Sequence, residues 1–196
     1  MAQQIINVGT GANSGNGDPN RTAWVKANGN FTELYSSSSL ASGFVDYNDT
    51  TGSIAITANT WIDVPNNTLG AYTNLTYMPE GMTTLMDGST GYLDFSELTL
   101  GSDMHIRIDY TVTPNTNNSL VESRYVLGSG SGEYALPINS KRLDSGSGIP
   151  YSSDKGSFYI YMGDTNTLGG VGKLQVRLTT GGTLSNNGVA IKIYKK

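Results

Sequence analysis

The sequence predicts a mainly β protein, with an N-terminal strand and a single helix on an arm, followed by an antiparallel, jelly-roll-like β-sandwich. Three observations predict it. Many short segments beyond residue 44 alternate apolar and polar residues. Gly, Asn, Ser and Thr clusters punctuate those segments. One capped, helix-periodic stretch stands apart near the start. The composition agrees: 37% of the 196 residues are hydrophobic and only 14% are charged. That is below the usual quarter or so of charged residues, and it suits a polar, turn-rich β body better than a helical enzyme.

The arm comes first. Ile6-Asn7-Val8-Gly9 reads as a short strand and is followed by a Gly/Asn loop. Asp18 is placed to cap a helix, because its carboxylate can accept from free first-turn N–H groups. Pro19 suits the first helical position, where its fixed φ helps and its missing N–H is harmless. Trp24, Ala27, Phe31, Leu34 and Tyr35 then recur at three- and four-residue steps, which makes one apolar stripe. A lone helix of this length is marginal in water, and Gly29 inside it costs about 1 kcal/mol relative to Ala. The stripe therefore needs a partner surface. With Ile5, Ile6 and Val8 it forms the candidate docking set. The serine run after Tyr35 reads as a linker over 37–43, which divides an arm of residues 1–36 from a body of residues 44–196.

The body shows period two throughout. Ile54 and Ile56 alternate, Trp61 to Val64 precede Pro65, Leu75 and Tyr77 flank Thr76, and Leu93 and Phe95 flank Asp94. From Met104 to Val112 every even position is apolar and every odd one polar, as in a strand with one wet face. Val121 to Tyr125, Tyr134 to Ile138, Phe158 to Met162 and Lys173 to Leu178 behave alike. A Gly/Asn turn ending at Asn187-Gly188 leads into Val189, Ile191 and Ile193. Residues 140–156 have no period and read as a long loop. About eight to ten strands without a fixed repeat indicate a sandwich or jelly roll rather than a propeller. Phe158, Ile160 and Met162 face one way and Tyr159 and Tyr161 the other, which makes these tyrosines candidates for a subunit interface or a glycan contact.

Several chemistries are excluded or unsupported. There is no cysteine, so disulfides and thiolate metal sites are ruled out. Gly9, Gly11 and Gly15 miss the dinucleotide-binding spacing, and no P-loop occurs. His105 is the single histidine and sits on the polar face of its strand, which reads as an exposed strand residue rather than a metal ligand or triad member, and leaves a carbonyl and carboxylate calcium site in a loop open. Asp144, Asp154 and Asp164 lack the spacing of a calcium loop. With a net charge of -4 and no basic patch, nucleic acid is not an expected partner. No segment reads as a signal peptide or a membrane span. The expectation is a non-enzymatic protein with no cofactor.

The arm closely resembles an N-terminal segment found on many tailed-phage virion proteins, among them tail spikes, tail fibres and head appendages. That segment follows an I-N-V-G, G-D-P-x-R-T-A, K-x-N-x-N-F-x-E-L-Y pattern. The matching positions are Ile6 to Gly9, Gly17 to Pro19, Arg21 to Ala23, Lys26, Asn28, Asn30, Phe31 and Glu33 to Tyr35. Trp24, Ala27 and Gly29 depart from it. The resemblance implies a virion structural protein made in a bacterial cytoplasm, a homotrimer whose arm ties subunits together or binds a major capsid or tail protein. A capsid decoration or cement protein, or a short head fibre, is the leading role. A short tail fibre or adaptor binding a host-surface glycan comes next, and a free carbohydrate-binding module third.

Overall fold

The structure, a computed structural model, describes residues 4–11, 14–38, 41–153 and 157–196, and leaves the side chains of 35–38 outside that description. It divides into two units, Met1–Leu40 and Ala41–Lys196.

In the first unit, helix α1 (Asn20–Ser38) follows an extended segment. The expected strand at 6–9 does not form. Among the described residues this unit offers no strand to pair with, and the segment bonds to the Lys26 and Asn30 side chains of the helix instead. The helix also runs further than expected, through Ser38. Serine is only a few tenths of a kcal/mol poorer than average in a helix, too little to end one. The linker expected at 37–43 is thus helix to Ser38 and strand from Ala41, and residues 39–40 lie outside the described set.

The second unit is a sandwich of two antiparallel sheets. Strands β1 (Ala41–Asn48), β2 (Ser53–Ile56), β4 (Asn74–Tyr77), β6 (Asp103–Pro114), β9 (Tyr151–Ser152), β10 (Ser157–Tyr161) and β12 (Gly182–Lys195) form one sheet, ordered β10-β6-β12-β1-β4, with β2 paired to β12 and β9 to β6. Strands β3 (Ile62–Asp63), β5 (Leu93–Asp94), β7 (Ser119–Leu127), β8 (Tyr134–Leu143) and β11 (Val171–Leu178) form the other, ordered β3-β11-β7-β8, with β5 paired to β11. The chain crosses repeatedly between sheets, and apart from β7 and β8 the paired strands are not consecutive in sequence, as in a jelly roll. A short helix, α2 (Thr165–Leu168), precedes β11; the Asp164 carboxylate caps it by accepting from Thr167 N–H at 2.8 Å.

The core lies between the sheets. Met104, Ile106, Ile108, Tyr110 and Val112 of β6 are all buried, as their alternation requires, and Ile191 and Ile193 of β12 join them. Val121, Tyr125 and Leu127 of β7 and Leu174, Val176 and Leu178 of β11 close the other side. Tyr125 meets Phe158 across the interior, with ring centroids 5.1 Å apart. The outer face of the smaller sheet is a polar ladder. Trp61 lies under Arg124, at 4.0 Å from its ring centroid, and near Arg177, which pairs with Glu122.

Three local features differ from expectation. β1 starts inside the expected linker. Its Val45 and Tyr47 point into the core, while Ala41 to Asn48 all pair with β12 and Phe44 and Asp46 pair with β4. Gly43 is required there, since a Cβ would sit 2.3 Å from Tyr77 O. The span 140–156 is not all loop: β8 continues to Leu143 and β9 forms at Tyr151, while 154–156 lie outside the described residues. Asn187-Gly188 is no turn. β12 runs straight through it, and the register against β6 slips between Asn186 and Gly188. This is a β-bulge, because strands pair on both sides and the chain cannot reverse. Gly188 adopts φ +130 there, and Asn186 Oδ1 accepts its N–H at 3.1 Å.

Ile106→Ala is expected to destabilise the body by about 2–5 kcal/mol, since its neighbours in both sheets are fixed and cannot collapse into the gap. Denaturant unfolding measures this; an unchanged midpoint would contradict the packing described.

Candidate functional site

The arm is built by its polar residues. Asn30 pairs with the Gln4 backbone twice, accepting from Gln4 N–H at 2.9 Å and donating to Gln4 O at 2.8 Å. Lys26 Nζ donates to Ile5 O at 3.1 Å and to Asp18 Oδ2 at 2.7 Å. Asp18 Oδ2 also accepts from Asn7 N–H at 2.9 Å, and Asp18 N–H donates to Asn7 O at 2.8 Å. Asn7 Nδ2 donates to Asn16 O at 2.9 Å, which closes the loop. Two glycines fit because of close approaches. Gly9 has φ +80, and a Cβ on Gly17 would sit 3.0 Å from Asn7 O.

The expected capping therefore takes another form. Asp18 makes no hydrogen bond to a first-turn N–H among the described residues, because Asn7 and the Lys26 ammonium take its carboxylate in charge-assisted contacts. Pro19 sits just before the first helical residue, and its carbonyl accepts from Ala23 N–H at 3.0 Å. The Lys26 hydrogen bond, then that of Asn7, holds the Asp18 carboxyl below its ordinary value.

The apolar residues are left over. Trp24, Phe31 and Leu34 are 69%, 57% and 59% exposed. Ile5 and Val8 are exposed too, while Ile6 and Ala27 are half-buried. Ile6, Ala27, Phe31 and Leu34 line one shallow groove with Asn30. Ile5, Val8 and Trp24 lie outside it. Tyr35 is helical, but its side chain is outside the described residues.

On the body, Tyr159 and Tyr161 project outward from β10, and both are exposed. Tyr159 stacks on His105 at 5.9 Å, and His105 meets Tyr194 edge-on at 6.1 Å. The same sheet face holds a cavity of about 320 Å³ that the sequence did not reveal. It lies over β1, β6 and β12, and Asp46, Tyr72, Arg107, Asp109 and Asn187 stand around it. Burial raises the Asp46 carboxyl, and Arg107 partly offsets this. The only sequence signal was the polar alternation of Arg107 and Asp109. Asp46, Tyr72 and Asn187 come from segments without motifs. Among the described residues no cluster of three or more His, Asp or Glu could hold a metal ion.

No family model matches the chain, and no curated protein matches it. The solved structure of Eiger TNF from S. frugiperda is similar at 13% identity, covering 79% of this chain and 92% of that chain, with a TM-score of 0.46. The sandwich assignment stands on the strand pairing itself.

The Asp18 contacts carry a pH dependence. Its pKa is depressed in the folded arm, so their stabilisation is present above the ordinary value of 3.8 and is lost as pH falls through the depressed one. The protection of the Asn7 amide relative to its intrinsic exchange rate, followed by NMR, is expected to fall in that acid range, and Asp18→Asn to remove that fall. Protection at Asn7 that is insensitive to both would remove the Asp18 clasp.

Proposed function

We propose that the chain is a non-enzymatic structural protein of a tailed-phage virion, a homotrimer that decorates or cements the capsid or forms a short head fibre. One observation carries this reading. Asn7, Asp18, Lys26 and Asn30 of the arm's motif are bonded to one another or to the backbone, whereas Val8, Trp24, Phe31 and Leu34 stay exposed. A folded element that spends its polar groups on its own shape and presents Trp24, Phe31 and Leu34 to the outside is built to dock. Three copies of the stripe can meet about a three-fold axis, or one copy can lie on a capsid or tail protein. The sequence pattern of the arm supplies the virion context. The short tail fibre reading is favoured at one point, the polar cavity on the body.

Burying one such aromatic side chain contributes roughly 1.5–3 kcal/mol. Trp24→Ala with Phe31→Ala is therefore expected to weaken trimerisation or virion incorporation by about a hundredfold or more, with body unfolding unchanged. Light scattering of the purified chain and densitometry of purified virions measure the two outcomes. A decoration protein is expected at a large multiple of three copies per particle. Unchanged oligomer mass together with unchanged copy number would sink the docking role.

A further inference from the structure

We propose that the cavity over β1, β6 and β12 binds a neutral saccharide. The inference stands on the body alone and does not require the virion reading.

Its groups are open for a ligand. Among the described residues the Arg107 guanidinium and the Asp109 carboxylate make no hydrogen bond, although both border the cavity. The bulge in β12 adds Asn187 as an unpaired residue between Asn186 and Gly188, at the rim. Bulges commonly re-aim a side chain at a functional site. Asn48 is used differently: its Oδ1 accepts from Tyr72 N–H at 3.1 Å, and its Nδ2 donates to Asp46 Oδ1 at 3.2 Å. One amide thus fixes both the loop that carries Tyr72 and the carboxylate beside the cavity. Tyr72 itself is 80% exposed, with its ring free to act as a wall.

The chemistry selects the ligand class. Asp46 and Asp109 accept, Arg107 donates, and Asn187 does both, which matches vicinal hydroxyls that donate and accept together. A sugar ring also has an apolar C–H face that can lie on Tyr72. Two carboxylates against one guanidinium leave the cavity net negative, which disfavours acidic sugars and phosphates. A peptide strand has no sheet edge to add to, because β12 beneath the cavity is already paired with β6 and β1. The volume of about 320 Å³ lies at the low end for small-molecule sites and suits a single sugar unit.

The test titrates the full chain, by saturation-transfer NMR and calorimetry, with the methyl glycosides of glucose, galactose and mannose and with that of N-acetylneuraminic acid. At least one neutral glycoside is expected to bind, and the sialoside to bind more weakly. Tyr72→Ala, Asn187→Ala and Asp109→Asn are each expected to weaken binding about tenfold, the loss of one good contact. Leu100→Ala, exposed and outside the cavity, is expected to change nothing, and unchanged thermal midpoints confirm that the variants fold. No binding by any neutral glycoside, preference for the sialoside, or binding that survives all three cavity substitutions would overturn the inference. Virions that carry a chain blind to hexoses would do the same while leaving the virion role intact; a hexose-binding chain absent from virions would do the reverse.

Discussion

The body depends on one pairing, that of β12 with β6. These strands are matched from Gly182 against Pro114 to Tyr194 against Asp103, with a single slip at the bulge. β12 also holds β1 on its other edge and β2 near its start. One register thus fixes the middle of the larger sheet. Because side chains alternate, a one-residue slip of β12 against β6 would turn Ile191 and Ile193 outward while Ile106 and Ile108 kept their place. The bulge is tolerated because it absorbs one residue and returns the strand to phase, so Leu184 before it and Val189 after it are both buried. The local irregularity that shapes the cavity and the regularity that shapes the core are settled by the same hydrogen-bond ladder.

The two units manage their surfaces in opposite ways. The body encloses a large apolar core between its sheets, though Leu69 and Ile149 stay exposed, and part of its wet face carries ion pairs and aromatic-guanidinium contacts, such as those of Trp61 with Arg124 and Arg177. Such half-exposed charges contribute modestly one at a time. The arm has too little chain to enclose anything. Its order comes from Asn7, Asp18, Lys26 and Asn30 stitching the extended segment to the helix. Gly29 belongs to this arrangement, since a Cβ there would come within 3.0 Å of Gln4 Nε2.

What could be read in the sequence follows from how many partners a segment needs. β6 and β11 were legible because one face is wet and one dry along their whole length, so alternation shows without knowledge of the partner. β1 was not. Its start, Ala41-Ser42-Gly43, carries few apolar side chains, and glycine is there to let Tyr77 and Pro79 come close. Asn187-Gly188 has the composition of a hairpin turn, and only paired strands on both flanks make it a bulge. In the arm, the apolar stripe could be read from spacing, whereas Asp18 spends its carboxylate on Asn7 and Lys26, a tertiary contact that no local capping rule contains. The cavity was hidden for the same reason: Asp46, Tyr72, Arg107 and Asn187 belong to four separate stretches of chain.

The central place of β12 has a consequence for biosynthesis. Residues 182–195 leave the ribosome after every other strand described, yet they fill the gap between β6 and β1. Until they emerge, the nascent chain holds two long unpaired backbone edges facing each other, each able to recruit a strand from another molecule. The larger sheet can close only once its last described strand is available, so a chain in which β12 has not yet docked is the form most vulnerable to aggregation.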